Sequence, residues 1–251
     1  MNRQKLTLAA VLIAAYGLGS IAFYRVFPEL SDDPLGAHVD AFFAFFAVLF
    51  LVVIAVTSTW RFVGLVGRDQ VPAIRWIVVL FVLELLLLLA YFGASLLGYS
   101  GAEGAIVIVV INIAFVAFNE EVLFRGFLWG AVDGFGPAKR ILFVSFIFGL
   151  FHIVNAFTGE SWGSALFQVG LVFLASIMDG VIRYGTGSLW PTIVLHFLWD
   201  SSGIFGKGNV ADTLGPALQF LIVLAGVTSL IVIALKHRRT TPALETPATT
   251  G

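Results

Sequence analysis

The 251-residue chain contains no cysteine. That absence excludes disulfides, thiolate metal sites, a cysteine nucleophile and lipid anchoring through sulfur. Charge is nearly as scarce. Only 12% of residues are Asp, Glu, Lys or Arg, about half the share found in ordinary globular domains. A net charge of −1 gives no basic field to attract nucleic acid, and no acidic tract forms a solvating tail. The chain is instead 59% apolar, with a mean hydropathy of +1.01. A water-soluble fold of this size could not cover its surface with so few charges. The chain belongs in a lipid bilayer.

Crossing the hydrocarbon core takes about 20 apolar residues. Eight stretches are long enough: 6–27, 41–66, 73–98, 105–132, 138–157, 162–183, 187–205 and 212–235. Runs such as FFAFFAVLFLVVIAV do not alternate apolar and polar residues, so barrel strands are excluded and helices remain. The expected fold is all-α, a polytopic transmembrane bundle of about eight spans. It forms one membrane-embedded domain over 1–236, with a polar-motif core over 105–205, followed by a disordered Pro/Thr-rich tail at 237–251. The first span reads as retained rather than cleaved. Its apolar run continues to Phe27, and Gly17-Leu18-Gly19 is a poor signal-peptidase site.

Basic residues set the orientation. With eight spans, Arg3, Lys5, Arg61, Arg68, Arg75, Lys139, Arg140, Arg183, Lys236, Arg238 and Arg239 all fall on one side. The other side has Arg25 and Lys207 beside Glu29, Asp32, Asp33, Asp40, Glu103, Glu160 and Asp212. Both termini are therefore expected in the cytoplasm. The composition fits the plasma membrane of a prokaryote.

Ionisable groups within spans are costly and face a bundle interior or a water-filled cavity. The fourth span carries Asn112, Asn119, Glu120, Glu121 and Arg125. The fifth carries His152, and the seventh carries His196 and Asp200. Glu120 and His152 both lie roughly 20 Å from the cytoplasmic end at 1.5 Å per residue, and His196 and Asp200 reach similar depth. Glu121 and Arg125 are four residues apart, with the acid first, so they stack on one helix face. Glu120 points about 100° away and stays free. His196 and Asp200 share a face, as do Phe148 and His152. Glu84 and Asp179 stand alone in spans three and six, while Gln168 and Asn112 read as interhelical hydrogen-bond partners. Glu121 with Arg125 reads as structural support, and Phe148 as core.

Three spaced motifs carry a family resemblance. EExxxR is met by Glu120, Glu121 and Arg125, FxxxH by Phe148 and His152, and a histidine four residues before Asn or Asp by His196 and Asp200. The lead-in GSLWP, from Gly187 to Pro191, fits as well. In this order and on separate spans, they resemble the CPBP family, the CAAX protease and bacteriocin-processing (Abi) membrane proteins, which include the type II CAAX prenyl endopeptidases. The resemblance covers about 119–201 and implies peptide-bond hydrolysis within the membrane, with no cofactor. Glu120 and His152 would activate water, with Glu120 as general base, and His196 and the residue at 200 would stabilise the oxyanion. An ionised Asp200 only accepts hydrogen bonds, so it is expected to orient His196. The substrate would be a CAAX-type or other membrane-associated peptide, or a membrane protein.

Two other readings use the same residues. Glu120, His152 and His196 form a His₂Glu set suited to zinc, although no HExxH motif is present. A non-catalytic transporter or immunity protein would also bury carboxylates and histidines, but no inverted repeat is visible.

Overall fold

The computed structural model describes residues 3–28, 39–66, 74–100, 103–207 and 210–240. Among these, the chain is helical and contains no strand. In order they are α1 (Arg3–Val26), α2 (Ala41–Thr57), the short α3 (Trp60–Val63), α4 (Arg75–Leu97) and α5 (Glu103–Glu121). A π-helical segment (Val122–Leu128) continues α5 into the short α6 (Trp129–Ala131). Then come α7 (Pro137–Phe151), which runs into a 3₁₀ segment (His152–Phe157), α8 (Trp162–Thr186), α9 (Trp190–Gly206) and α10 (Val210–Thr240).

The helices occupy the eight expected stretches, but not all have full spanning length. Among the described residues, six are long and apolar enough to cross a membrane. The stretch expected at 41–66 is interrupted: Ser58 takes a left-handed conformation with φ 51°, leaving α2 at 17 residues. Thr57 and Thr59 flank the break, and their hydroxyls lie 2.9 Å apart. Such side chains compete with the helix ladder for backbone partners. At 17 residues each, α2 and α9 reach only about 25 Å. The C-terminal boundary also moves. α10 remains helical to Thr240, so 237–240 are not tail, and the rest of the expected tail lies outside the described residues, as do Glu29, Asp32, Asp33 and Arg68.

Local sequence signals set several helix ends. Pro137 and Pro191 occupy the first turns of α7 and α9, where a missing N–H costs nothing. Ser161 caps α8 through its Oγ, which accepts from the Ser164 amide at 3.1 Å. Asp40 caps α2 by accepting from the Phe42 amide at 2.8 Å and from Tyr24 Oη at 2.6 Å. Its own amide donates to Asn112 Oδ1 at 2.8 Å, so one aspartate ties α1, α2 and α5 together.

The outside of the bundle is apolar: Phe45, Val56, Phe167 and Phe220 are all exposed. In water that surface would aggregate, whereas lipid tails solvate it. Inside, α7 and α8 approach closely because both use glycine at the contact. A Cβ on Gly149 would lie 2.8 Å from Val169 O, and one on Gly180 would lie 2.9 Å from Ile141 Cγ2. Small residues of this kind let membrane helices pack backbone to backbone. This contact sets the 3₁₀ segment that begins at His152 against α8.

Candidate active site

The polar residues of α5, α7, α8 and α9 converge in mid-bundle. The widened π turn begins immediately after Glu121 and contains Arg125, with every residue from Val122 to Leu128 buried. Such segments are rare and concentrate at functional sites. Glu121 and Arg125 still meet, with Nη1 donating to Oε1 at 2.9 Å and both side chains fully buried. The same guanidinium donates from Nη2 to Ser176 Oγ at 2.7 Å and to Asp179 Oδ2 at 3.1 Å. It lies 4.0 Å from the centre of the Phe148 ring. Arg125 is thus held by two carboxylates, a hydroxyl and an aromatic face.

Glu121 has a second partner. Its Oε1 also faces His196 Nδ1 at 3.0 Å. The other imidazole nitrogen, Nε2, lies 3.2 Å from Asp200 Oδ2 and 3.8 Å from Glu120 Oε2. With a carboxylate oxygen at each ring nitrogen, the imidazolium is the form that donates to both. His196 therefore sits at the junction of Glu120, Glu121 and Asp200.

His152 opens the 3₁₀ segment, just beyond the α-helical part of its span. Its Nδ1 is 3.0 Å from Phe148 O. A carbonyl only accepts, so Nδ1 carries the hydrogen and the neutral ring keeps a lone pair on Nε2. Phe148 meets His152 edge to face at 4.9 Å between ring centres and meets His196 at 6.0 Å. Its ring spaces the two histidines.

All of this borders one cavity of about 730 Å³, lined in part by Glu120, His152, His196, Asp200 and Asp179. Glu120 and His196 are each 12% exposed, and Asp200 33%. The cavity runs from mid-bundle to Thr158, Gly159 and Glu160, at the end opposite the run of basic residues. Its mouth is the acidic end of the bundle.

The structure thus gathers Glu120, Phe148, His152, His196 and Asp200 around the cavity and places Glu121 and Arg125 behind them. Asn112 bonds across helices as expected, and Gln168 Oε1 accepts from Asn155 Nδ2 at 2.8 Å. Asp179 does not stand alone, because Arg125 reaches it from α5. Arg183, read as a loop charge, is fully buried, and its Nε donates to Arg125 O at 3.1 Å, a carbonyl of the π segment. A signal for both was present: Ser176, Asp179 and Arg183 follow the three- and four-residue spacing of one helix face. For zinc, no three His, Asp or Glu side chains among the described residues are arranged to hold a metal ion. A zinc-bound imidazole needs a lone pair on the ligating nitrogen, whereas both nitrogens of His196 face carboxylates.

Residues 102–202 match the family model described as type II CAAX prenyl endopeptidase Rce1-like. That span runs from α5 through α9 and contains all three motifs. No curated protein and no solved structure matches the chain.

Proposed function

From the premise that residues 102–202 place this integral membrane protein in the CPBP family, with an Rce1-like CAAX-protease segment, we propose that it is an intramembrane endopeptidase in which Glu120 and His152 activate water. The observation that carries this reading is the division of labour between adjacent glutamates. Glu121 is committed to Arg125 and His196 at 2.9 and 3.0 Å, while Glu120 faces the cavity with no closer cation than His196 Nε2 at 3.8 Å. A free carboxylate beside a cavity that admits water is the group able to take a proton.

In this mechanism a water sits between Glu120 and His152 Nε2. Glu120 removes one proton as the oxygen attacks the peptide carbonyl carbon. The negative charge that develops on the carbonyl oxygen is met by His196 Nε2–H, which turns from Asp200 towards it. Glu120 then returns the proton to the amide nitrogen, the C–N bond breaks, and a carboxylic acid and an amine leave. Glu121 holds His196 Nδ1 throughout, so the ring keeps its orientation while Nε2 exchanges partners. The chemistry needs no metal or other cofactor. The substrate is a membrane-associated peptide or membrane protein, of CAAX type or otherwise, and the location is a prokaryotic plasma membrane.

Glu120→Gln tests the central step, because an amide cannot accept the proton. The full-length variant should keep its melting temperature and lose cleavage by about a hundredfold or more, with His152→Ala close behind. Wild-type activity should survive exhaustive chelation. Cleavage that persists in Glu120→Gln overturns the assignment of the base, and activity lost on chelation and restored by zinc overturns the metal-free mechanism.

A further inference from the structure

The catalytic cavity contains an acid that hydrolysis does not use. Glu84, on α4, is 93% buried by its 7% exposure, lines the cavity, and has an Oε2 without a hydrogen-bond partner among the described residues. Glu84 lies nine residues along α4 from Arg75, and Asp179 lies seven residues before the end of α8. At 1.5 Å per residue both sit roughly 10–14 Å from the basic end of the bundle, deeper than Glu120 or His152. They form the floor of a cavity whose mouth is at Thr158–Glu160.

A buried carboxylate with an unmade hydrogen bond is destabilising, and a leucine would pack better there. Glu84 makes no ion pair among the described residues. Asp179 is already engaged by Arg125 at 3.1 Å, so it lends negative potential without needing a second partner. No Lys or Arg lines the cavity among the described residues, while Glu84, Glu120, Glu160, Asp179 and Asp200 all do. Such a lining, in which His196 is the one cation among the described residues, is rich in acceptor oxygens. It attracts a group that carries positive charge and N–H donors on a stem long enough to reach the floor from the reacting bond. A lysine or arginine side chain has that length and chemistry, and its apolar stem suits the walls.

We propose that Glu84 is a specificity residue, forming with Asp179 a floor subsite for a lysine or arginine side chain of the bound peptide. Its use in cleavage rests on the endopeptidase reading, but its use in binding does not.

The test uses full-length protein in nanodiscs and C-terminally amidated, fluorescent membrane-associated peptides. One lysine is moved through successive positions, with norleucine, its uncharged near-isostere, as the control. Binding is read by anisotropy on the Glu120→Gln background, so that turnover does not interfere, and cleavage is read on the wild-type background. At one position lysine should bind about tenfold or more tighter than norleucine, as a desolvated charge pair requires. Glu84→Gln should reduce that preference to about twofold or less. Glu84→Met, matched for packing, should do the same, and neither variant should melt below wild type. The absence of a lysine preference at every position, or a preference that survives both substitutions, overturns the subsite. Glu84-dependent lysine binding without any cleavage would leave the subsite standing and remove the endopeptidase reading. Cleavage indifferent to lysine would do the reverse.

Discussion

Arg125 is the residue on which the site's geometry converges. Its guanidinium joins Glu121, Ser176 and Asp179 and rests on Phe148, so one side chain links α5, α7 and α8. Its truncation leaves the half-buried Asp179 without its cation and the buried Glu121 with His196 alone, a loss of about 3–5 kcal/mol. Arg125→Ala should therefore lower the yield of folded protein and its melting temperature, measured by thermal unfolding in detergent. A stable but inactive variant would move Arg125 from support into the chemistry. Asp200 has a lighter role. Glu121 already fixes His196 from Nδ1, and an asparagine at 200 still reaches Nε2 through its carbonyl oxygen. Asp200→Asn should keep kcat/KM within about tenfold of wild type, because the orienting hydrogen bond survives in neutral form. A loss as deep as that of Glu120→Gln would make the negative charge at 200 essential.

Among the elements, the π segment and the α7–α8 contact position the candidate catalytic groups. The π turn starts at Val122, one residue after Glu121, and Arg183 from α8 accompanies it by donating to Arg125 O. The α7–α8 contact depends on Gly149, where even one added carbon meets backbone: Val169 O at 2.8 Å and Phe173 Cα at 2.9 Å. Backbone cannot turn aside as a side chain can. Gly149→Ala should cost about 1–3 kcal/mol through overpacking, read as a lower melting temperature. It should also reduce kcat, because the same displacement moves His152 three residues further on. Unchanged stability together with unchanged activity would show that the two helices have slack at this contact.

At the scale of the whole molecule, the charge asymmetry and the cavity point in opposite directions. Lys139, Arg61 and Lys236 belong to one end of the bundle, and the cavity mouth at Thr158–Glu160 to the other. If the basic end is cytoplasmic, as the charge bias predicts, the mouth faces the opposite compartment. The chain's lack of cysteine permits a direct test with single introduced thiols. Glu160→Cys in intact cells should react with a membrane-impermeant maleimide, and Asp133→Cys, exposed at the basic end, should react only after the membrane is opened. The reverse pattern would invert the bundle and turn the mouth to the cytoplasm.

The sequence by itself determined the membrane setting, the positions of the helices and the residues of the three motifs. The first two follow from local quantities, apolar run length and helical period, while the scarcity of charge within the spans singles out the polar residues and the family resemblance groups them into motifs. The pairing of Glu121 with Arg125 was legible from the helical period, since both lie on one helix face. The spacing also marked Ser176, Asp179 and Arg183 as one face, but not which helix that face would meet. Only the tertiary structure decided that Asp179 meets Arg125, that Glu121 also holds His196, and that Glu84 joins Glu120, His152 and His196 around one cavity. Those contacts depend on how closely α7 and α8 approach at Gly149 and on how the π turn directs Arg125. Such packing is settled between helices, where hydrophobic pattern and spacing carry no information about the partner.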